Sequence, residues 1–147
     1  MAAHQLTLSV PGTPAAANAA RHKVMTAIRG WDVAFDAKAL DTAELVVSEL
    51  ITNAVQHAAN GPATVSVALD GSVLSVEVCD ANRALPRPGL PGAGEESGRG
   101  LFLVAAMADR YGAEPTPTGK RSWAEITVID AAADLALSAT RPPLQRS

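Results

Sequence analysis

The sequence predicts an α+β domain of two layers, in which helices cover one face of a β-sheet. Two patterns predict it: several short runs alternate polar and apolar residues, and two longer runs carry apolar residues at helical spacing. With 147 residues the chain has the length of one domain, enough to bury a core without disulfides or a structural metal. Apolar residues make up 48% of it and aromatic residues 3%, so aliphatic side chains and alanine must build that core.

The first part of the chain predicts one strand and two helices. Residues 4–10 alternate as a half-buried strand does, and a Pro-Gly-Thr-Pro sequence ends the run. Residues 15–29 are rich in alanine and place apolar residues at helical spacing. The second helix is predicted to open at Asp41, an N-cap residue with a glutamate three positions later. We expect both helices to lie on the same face of the sheet.

The middle of the chain predicts a β-hairpin followed by a loop. Residues 63–69 and 72–79 are β-rich runs joined at Asp70-Gly71, a dipeptide that favours a tight turn with positive φ. Prolines and glycines recur through residues 81–98, which prevents any long regular element. This segment is therefore predicted to be a mobile loop.

The last part predicts a short helix, a final strand and a tail. Residues 101–110 follow a Gly-Arg-Gly turn as a short helix, and residues 121–129 alternate again as a strand. Residues 131–147 contain two consecutive prolines and few bulky apolar groups, which is typical of a disordered tail. The folded domain is thus predicted to span residues 1–130.

Charge and composition exclude several classes of function. The net charge is -3 and no cluster of Lys and Arg interleaves with aromatic residues, so direct nucleic-acid binding is disfavoured. The single cysteine, Cys79, lies in an apolar strand and is expected to be buried and inert. The N-terminus has no leader-like pattern, and the longest apolar run, residues 101–108, is too short to cross a bilayer. A cytoplasmic protein without membrane contact is expected.

The second predicted helix places a carboxylate and a carboxamide one turn apart. Glu49 and Asn53 are four residues apart, so they are stacked neighbours on a helix. Glu49 can position or deprotonate a hydroxyl, while the Asn53 oxygen can hold a hard cation such as magnesium, which suggests a nucleotide site. Taken alone, the spacing more often marks a solvated face. Gln56 is expected beside them, opposite the apolar stripe. That stripe is predicted to consist of Leu45, Val46, Leu50, Ala54 and Ala58.

Two further clusters follow along the chain. Asp80 ends an alternating strand, and a carboxylate there can accept a hydrogen bond from an exocyclic amine such as that of adenine. Gly98-Arg99-Gly100 opens the short helix, where free N–H groups and an arginine suit phosphate oxygens. Each has a plain alternative: Asp80 as a turn or cap residue, and the glycine pair as a simple turn.

Taken together and in order, these motifs resemble the GHKL ATPase superfamily, and within it the bacterial anti-sigma-factor serine/threonine kinases. The motifs are Glu49-x-x-x-Asn53-Ala-x-x-His57, then Asp80 with Pro86, then Gly98-Arg99-Gly100-Leu101. The likeness spans about residues 5–129. It implies a Bergerat-type fold, in which a mixed sheet carries helices on one face and the nucleotide lies between helix and lid.

The resemblance also implies roles for individual residues and the cofactors ATP and Mg²⁺. Glu49 matches the family's general base, Asn53 its magnesium ligand and Asp80 its adenine-recognising carboxylate. His57 matches a frequent family residue for which no chemical role follows. The implied nucleotide-binding residues are Asn53, His57, Asp80, Pro86, Gly98, Arg99, Gly100 and Leu101.

The sequence departs from the family pattern in two places. The family often continues the aspartate as Asp-x-Gly-x-Gly, whereas this chain reads Asp80-Ala-Asn-Arg-Ala84 without either glycine. After Gly119, where the superfamily often has a threonine that assists adenine binding, this chain has Lys120. Lys120 is either a phosphate contact or a surface charge, and the surface position is favoured because an isolated lysine is normally solvated.

The resemblance predicts a kinase that uses Mg-ATP to phosphorylate a serine or threonine of a small anti-anti-sigma-factor, STAS-like partner. By the resemblance, the unphosphorylated partner would release a sequestered sigma factor, an exchange called partner switching. The missing glycines motivate an alternative, a non-catalytic anti-sigma or partner-binding module that holds nucleotide weakly or not at all. A detached histidine-kinase catalytic domain is disfavoured because the chain has no room for a dimerisation helix pair. Family kinases often form homodimers, yet no residue here identifies an interface.

Overall fold

The computed structural model describes residues 4–56, 61–81 and 103–129. These residues form two helices and five strands, and a short helical segment at residues 103–107 precedes the fourth strand. In chain order the elements are β1 (His4–Val10), α1 (Pro14–Gly30), α2 (Ala37–Gln56), β2 (Ala63–Asp70), β3 (Val73–Asp80), β4 (Arg110–Thr116) and β5 (Gly119–Thr127).

The described strands form one sheet in the order β1-β2-β3-β5-β4. The predicted α+β class with helices packed on a sheet is confirmed. The prediction of a mixed sheet is wrong, because every pair among these strands is antiparallel. Both helices lie in sequence between β1 and β2, which pair directly in the sheet.

One face of the sheet is buried under the helices, because the strands alternate as the sequence predicts. On β3 the side chains of Leu74, Val76 and Val78 are buried while their neighbours are half-buried. Helix α1 contributes Val24 and Ile28 to the same core, and both are fully buried. Burial of such aliphatic side chains contributes roughly 1.5–3 kcal/mol each and holds the two layers together.

The helix starts show how well local capping signals predict structure. Helix α1 begins at Pro14, one residue before the predicted start, and the side chain of Thr13 caps it by accepting a hydrogen bond from the Ala16 amide at 3.1 Å. The predicted start of α2 at Asp41 is wrong. The Asp36 carboxylate accepts a hydrogen bond from the Ala39 amide at 2.9 Å, so the helix is capped five residues earlier.

The predicted hairpin is confirmed. Strands β2 and β3 pair in the register Asp70↔Val73 through Thr64↔Cys79, which leaves a two-residue turn at Gly71 and Ser72. Gly71 has φ +61°, the left-handed conformation that glycine adopts without a steric penalty.

Strand β4 is absent from the sequence-based prediction. The helix expected over residues 101–110 is helical at residues 103–107, and Arg110 already belongs to β4. Glycine and proline lower the strand propensity of this segment, but β4 is an edge strand, where proline is tolerated. Gly112 is needed there, because an added Cβ would lie 2.8 Å from the indole of Trp123. The strand predicted at residues 121–129 is β5, shifted by two positions.

Several predictions lie outside the described residues. They are most of the loop at 81–98, the start of the helix at 101, the tail at 131–147 and the domain boundary at 130. Among the residues that the structure describes, no helix is both long and apolar enough to span a membrane.

Candidate functional site

Helix α2 buries a wider and differently oriented face than the sequence predicts. Asn53 is only 3% exposed and lies on the buried face, Glu49 is half-buried, and Gln56 is exposed. Leu45, predicted in the apolar stripe, is 45% exposed. The prediction that Asn53 lies opposite the apolar stripe is therefore wrong. Helix α2 contacts α1 as well as the sheet, which widens its buried face. The buried residues of α2 are Ala43, Val46, Val47, Leu50, Ile51, Asn53 and Ala54.

The buried carboxamide of Asn53 has an unusual environment. Its Oδ1 atom is inaccessible to solvent and accepts no hydrogen bond from any described residue. Leaving a buried acceptor unsatisfied costs about 1–3 kcal/mol, so such an atom calls for an explanation. A ligand that supplies the missing partner is one explanation, and a carboxamide oxygen is a suitable ligand for magnesium.

Asp80 and Lys120 form a buried ion pair across β3 and β5. The Lys120 Nζ atom donates to Asp80 Oδ1 at 3.0 Å, and both side chains are 1% exposed. The two residues are direct cross-strand partners in the register of the sheet. The prediction that favours a surface position for Lys120 is therefore wrong: its ammonium is drawn into the core by the carboxylate that it neutralises.

Gly119 explains how the two strands approach closely enough for this pair. A Cβ atom at position 119 would overlap the backbone carbonyl oxygen of Asp80 and lie 2.7 Å from the Cα atom of Ala81. Only glycine leaves room for the backbone there. The glycine thus places Lys120 directly opposite Asp80.

Ser122 is a further buried polar residue at this corner of the sheet, and the sequence-based reasoning missed it. It is 5% exposed, and its Oγ atom has no hydrogen-bond partner among the described residues. Ser122 lies two positions along β5 from Lys120, so both side chains are on the buried face. The alternation of β5 is the signal that could have placed both residues inside.

Four buried polar residues thus lie on elements that pack against one another. Helix α2, which carries Asn53, contacts both β3 and β5, which carry Asp80, Lys120 and Ser122. No group of three or more His, Cys, Asp or Glu residues able to hold a metal occurs in the described part of the chain. A magnesium ion at Asn53 fits only if phosphate oxygens complete its shell, which is the usual mode of magnesium binding to nucleotides.

The remaining predicted site residues are outside the described part of the chain. They are His57, Pro86, Gly98, Arg99, Gly100 and Leu101.

Cys79 lies next to the site in sequence but on the opposite face of the sheet. It is half-buried rather than buried, and its Sγ atom is 3.5 Å from Oε1 of Glu77. Burial raises the pKa of the Cys79 thiol above its ordinary value, and the Glu77 carboxylate raises it further. A raised pKa keeps the thiol protonated at neutral pH, which disfavours a nucleophilic role.

Comparison with known proteins identifies the class to which this fold and site belong. Residues 10–126 match the family described as the histidine kinase-like ATPase domain. The chain belongs to this family, and the resemblance to the GHKL superfamily is confirmed. No curated protein matches the chain.

A solved structure shares the fold. The crystal structure of the RsbU and RsbW domains of Rv1364c from Mycobacterium tuberculosis superposes with a TM-score of 0.65 and 17% sequence identity. The match covers 84% of this chain and 32% of the other, so this chain spans about a third of that protein's length. At this identity the likeness concerns the fold alone.

Proposed function

We propose that this protein is a serine/threonine kinase of the anti-sigma-factor type, which transfers the γ-phosphoryl group of Mg-ATP to a small anti-anti-sigma partner. Membership of the histidine kinase-like ATPase family supports a nucleotide site. The observation that carries the proposal is the buried Asn53 carboxamide, whose Oδ1 atom lacks a partner among the described residues, one helical turn from Glu49.

Glu49 is the proposed general base. It is half-buried on α2, four residues before Asn53, so both side chains can reach the same ligand. The carboxylate would orient the acceptor hydroxyl of the partner and take its proton as the phosphoryl group is transferred. Positioning and charge stabilisation supply most of the rate in reactions of this class.

Asn53 and Asp80 would hold the two ends of the nucleotide. The Asn53 oxygen fits a magnesium ligand, and a magnesium ion held there would neutralise part of the charge on the phosphate oxygens. By the resemblance, Asp80 would accept a hydrogen bond from the adenine amine, in addition to the bond that it accepts from Lys120. By resemblance, Gly98, Arg99 and the residues that follow would contact the phosphates.

The proposed pathway is partner switching. In this proposal the unphosphorylated STAS-like partner binds the kinase and releases a sigma factor, and phosphorylation reverses the exchange. The resemblance of the ordered motifs to the anti-sigma-factor kinases motivates this class of partner.

Phosphotransfer to purified STAS-like proteins, measured with labelled ATP and magnesium, tests the proposal. We expect Glu49→Ala to slow transfer about 10²–10⁴-fold, the usual contribution of a positioned acid or base. Glu44→Ala is the matched control: Glu44 lies on the same helix but is paired with Arg29 on the surface, so the rate should stay within about twofold. Loss of only a few-fold in Glu49→Ala would contradict the role of Glu49.

A second candidate is a non-catalytic partner-binding module, and one observation favours it. The carboxylate proposed to recognise adenine is already bound by Lys120 in a buried pair. If the pair excludes the base, the protein would bind its partner equally well with and without ATP and would transfer no phosphate. Magnesium-dependent labelling of any partner serine or threonine would rule this candidate out.

A further inference from the structure

The two edges of the described sheet differ in how they are protected against pairing with another strand. Strands β1 and β4 are the outer strands of the order β1-β2-β3-β5-β4. An edge strand presents N–H and C=O groups that can pair with a further strand, and proteins usually block such edges with charges, proline or a bulge. Strand β4 has these features: Arg110 and Glu114 are charged, and Pro115 lacks an N–H group.

Strand β1 has none of these features. Its seven residues include no Lys, Arg, Asp, Glu, Pro or Gly. They pair with β2 in a continuous register without a bulge, and no other strand in the described part of the chain pairs with them. We propose that the edge of β1 is the interface of a homodimer. In this dimer, β1 of a second copy of the chain pairs antiparallel with it about a two-fold axis at Thr7.

The hydrogen-bond pattern of the sheet shows which residues of β1 can bond to a second copy. The two-residue turn makes Asp70 and Val73 a hydrogen-bonded pair, and the bonding direction alternates along each antiparallel strand. Strand β2 therefore bonds to β3 through Asp70 and every second residue before it, and it bonds to β1 through the residues between. Given the register with β2, the residues of β1 that direct their N–H and C=O groups outward are Gln5, Thr7 and Ser9.

The outward residues are arranged symmetrically about Thr7. Pairing with a second copy places Thr7 opposite Thr7 of the partner subunit, and Gln5 opposite the partner subunit's Ser9. The hydrogen-bonded pairs of this ladder supply about six backbone hydrogen bonds. Because β1 has no Lys, Arg, Asp or Glu, none of these carboxylates or cations faces a like charge across the axis.

The same register buries apolar surface. Leu6 and Leu8 are half-buried and pack against the core on the face that the helices cover. In the proposed dimer Leu6 lies opposite the partner subunit's Leu8 in a non-hydrogen-bonded pair, where side chains approach most closely. The two cores then become continuous across the axis. A second copy fits this edge because leucine meets leucine on one face and polar side chains meet polar side chains on the other.

Sedimentation velocity of the nucleotide-free protein, over about 1–500 µM, tests the proposal. We expect the wild type to dimerise with a dissociation constant on the order of 100 µM or tighter, as suits a small interface. Thr7→Pro removes an N–H group that β2 does not use, so the fold should persist. The dimer loses the two hydrogen bonds at its axis, and the dissociation constant should rise about tenfold or more.

Thr7→Val is the matched control. It keeps the backbone N–H group and the β-branched shape, and the lost hydroxyl bonds within one copy, to Ser66 at 3.3 Å. Its dissociation constant should stay within about threefold of the wild type.

A pair of charge variants tests the register without a proline. Residue 7 faces its own copy across the axis, so Thr7→Asp and Thr7→Lys each place like charges opposite each other. Each variant alone should weaken the dimer about threefold or more. An equimolar mixture of the two places opposite charges face to face, and it should dimerise at least about threefold more tightly than either variant alone.

Two results would overturn the proposal. One is a wild-type protein that stays monomeric at about 500 µM. The other is a dimer whose contact lies elsewhere: folded Thr7→Pro leaves it unchanged, or the mixture dimerises no better than each charge variant alone. No nucleotide or phosphate acceptor takes part in the assay, so its outcome is independent of the proposed kinase activity.

Discussion

Replacing Lys120 with methionine would leave the Asp80 carboxylate buried without its counter-charge. The two charged groups are 3.0 Å apart, and at an effective dielectric constant of about 20 their attraction is about 5–6 kcal/mol. Desolvation offsets part of this attraction in the native protein, but breaking a buried pair on one side typically costs about 3–5 kcal/mol. We expect Lys120→Met to lower the free energy of unfolding by that amount, which is a large share of the roughly 5–15 kcal/mol of a typical domain.

Urea denaturation followed by tryptophan fluorescence provides the assay. The double variant Asp80→Asn, Lys120→Met removes both charges and should recover about half of the loss or more, which gives the pair a measurable coupling energy. Arg29→Met is the matched control, because the Arg29–Glu44 pair has a similar length of 2.9 Å but is exposed to solvent. It should cost only about 0.2–1 kcal/mol. A cost for Lys120→Met no larger than for Arg29→Met would refute the buried ion pair.

The remaining predictions concern three other residues near the site. In urea denaturation, Gly119→Ala should destabilise the protein by more than about 3 kcal/mol, because the added Cβ would overlap the Asp80 carbonyl oxygen. Gly30→Ala is the control: an added Cβ there has no atom within 4 Å, so stability should change by no more than about 1 kcal/mol. Ser122→Ala should not lower the stability of the ligand-free protein, because the lost hydroxyl has no partner among the described residues, and a loss above about 1 kcal/mol would contradict this. Alkylation of Cys79 by iodoacetamide should have its pH midpoint above the ordinary value of 9.0, because burial disfavours the thiolate; a midpoint at or below that value would contradict the raised pKa.

Local patterns predict most of the fold, and the errors have physical causes. The alternation of β2 and β3 and the Asp70-Gly71 turn lie within a few residues of each other, so the hairpin is readable from the sequence. The start of α2 is ambiguous because Asp36 and Asp41 both suit an N-cap, and only the structure shows which one binds a free amide. Strand β4 forms through its pairing with β5, a contact that overrides the low strand propensity of its own residues.

The site is less predictable because its chemistry depends on contacts distant in sequence. Asp80 and Lys120 are 40 residues apart in the sequence. No residue near Lys120 in the sequence indicates that the Asp80 carboxylate lies opposite it on the neighbouring strand. Without knowledge of that partner, a solvent-exposed position is the better prediction for Lys120, because an isolated lysine is normally solvated. The burial of Asn53 depends likewise on how α2 is rotated against α1 and the sheet, which a stripe of apolar residues defines only roughly.

The most direct test of the account is ATP binding by calorimetry, with and without magnesium, in the wild type and in Asn53→Ala. The proposal predicts that magnesium strengthens ATP binding in the wild type and that Asn53→Ala abolishes this gain. Thr52→Ala, at the exposed neighbouring position of the same helix, should behave as the wild type. ATP binding that magnesium does not strengthen, or no binding up to millimolar ATP, would contradict the account and leave partner binding as the function.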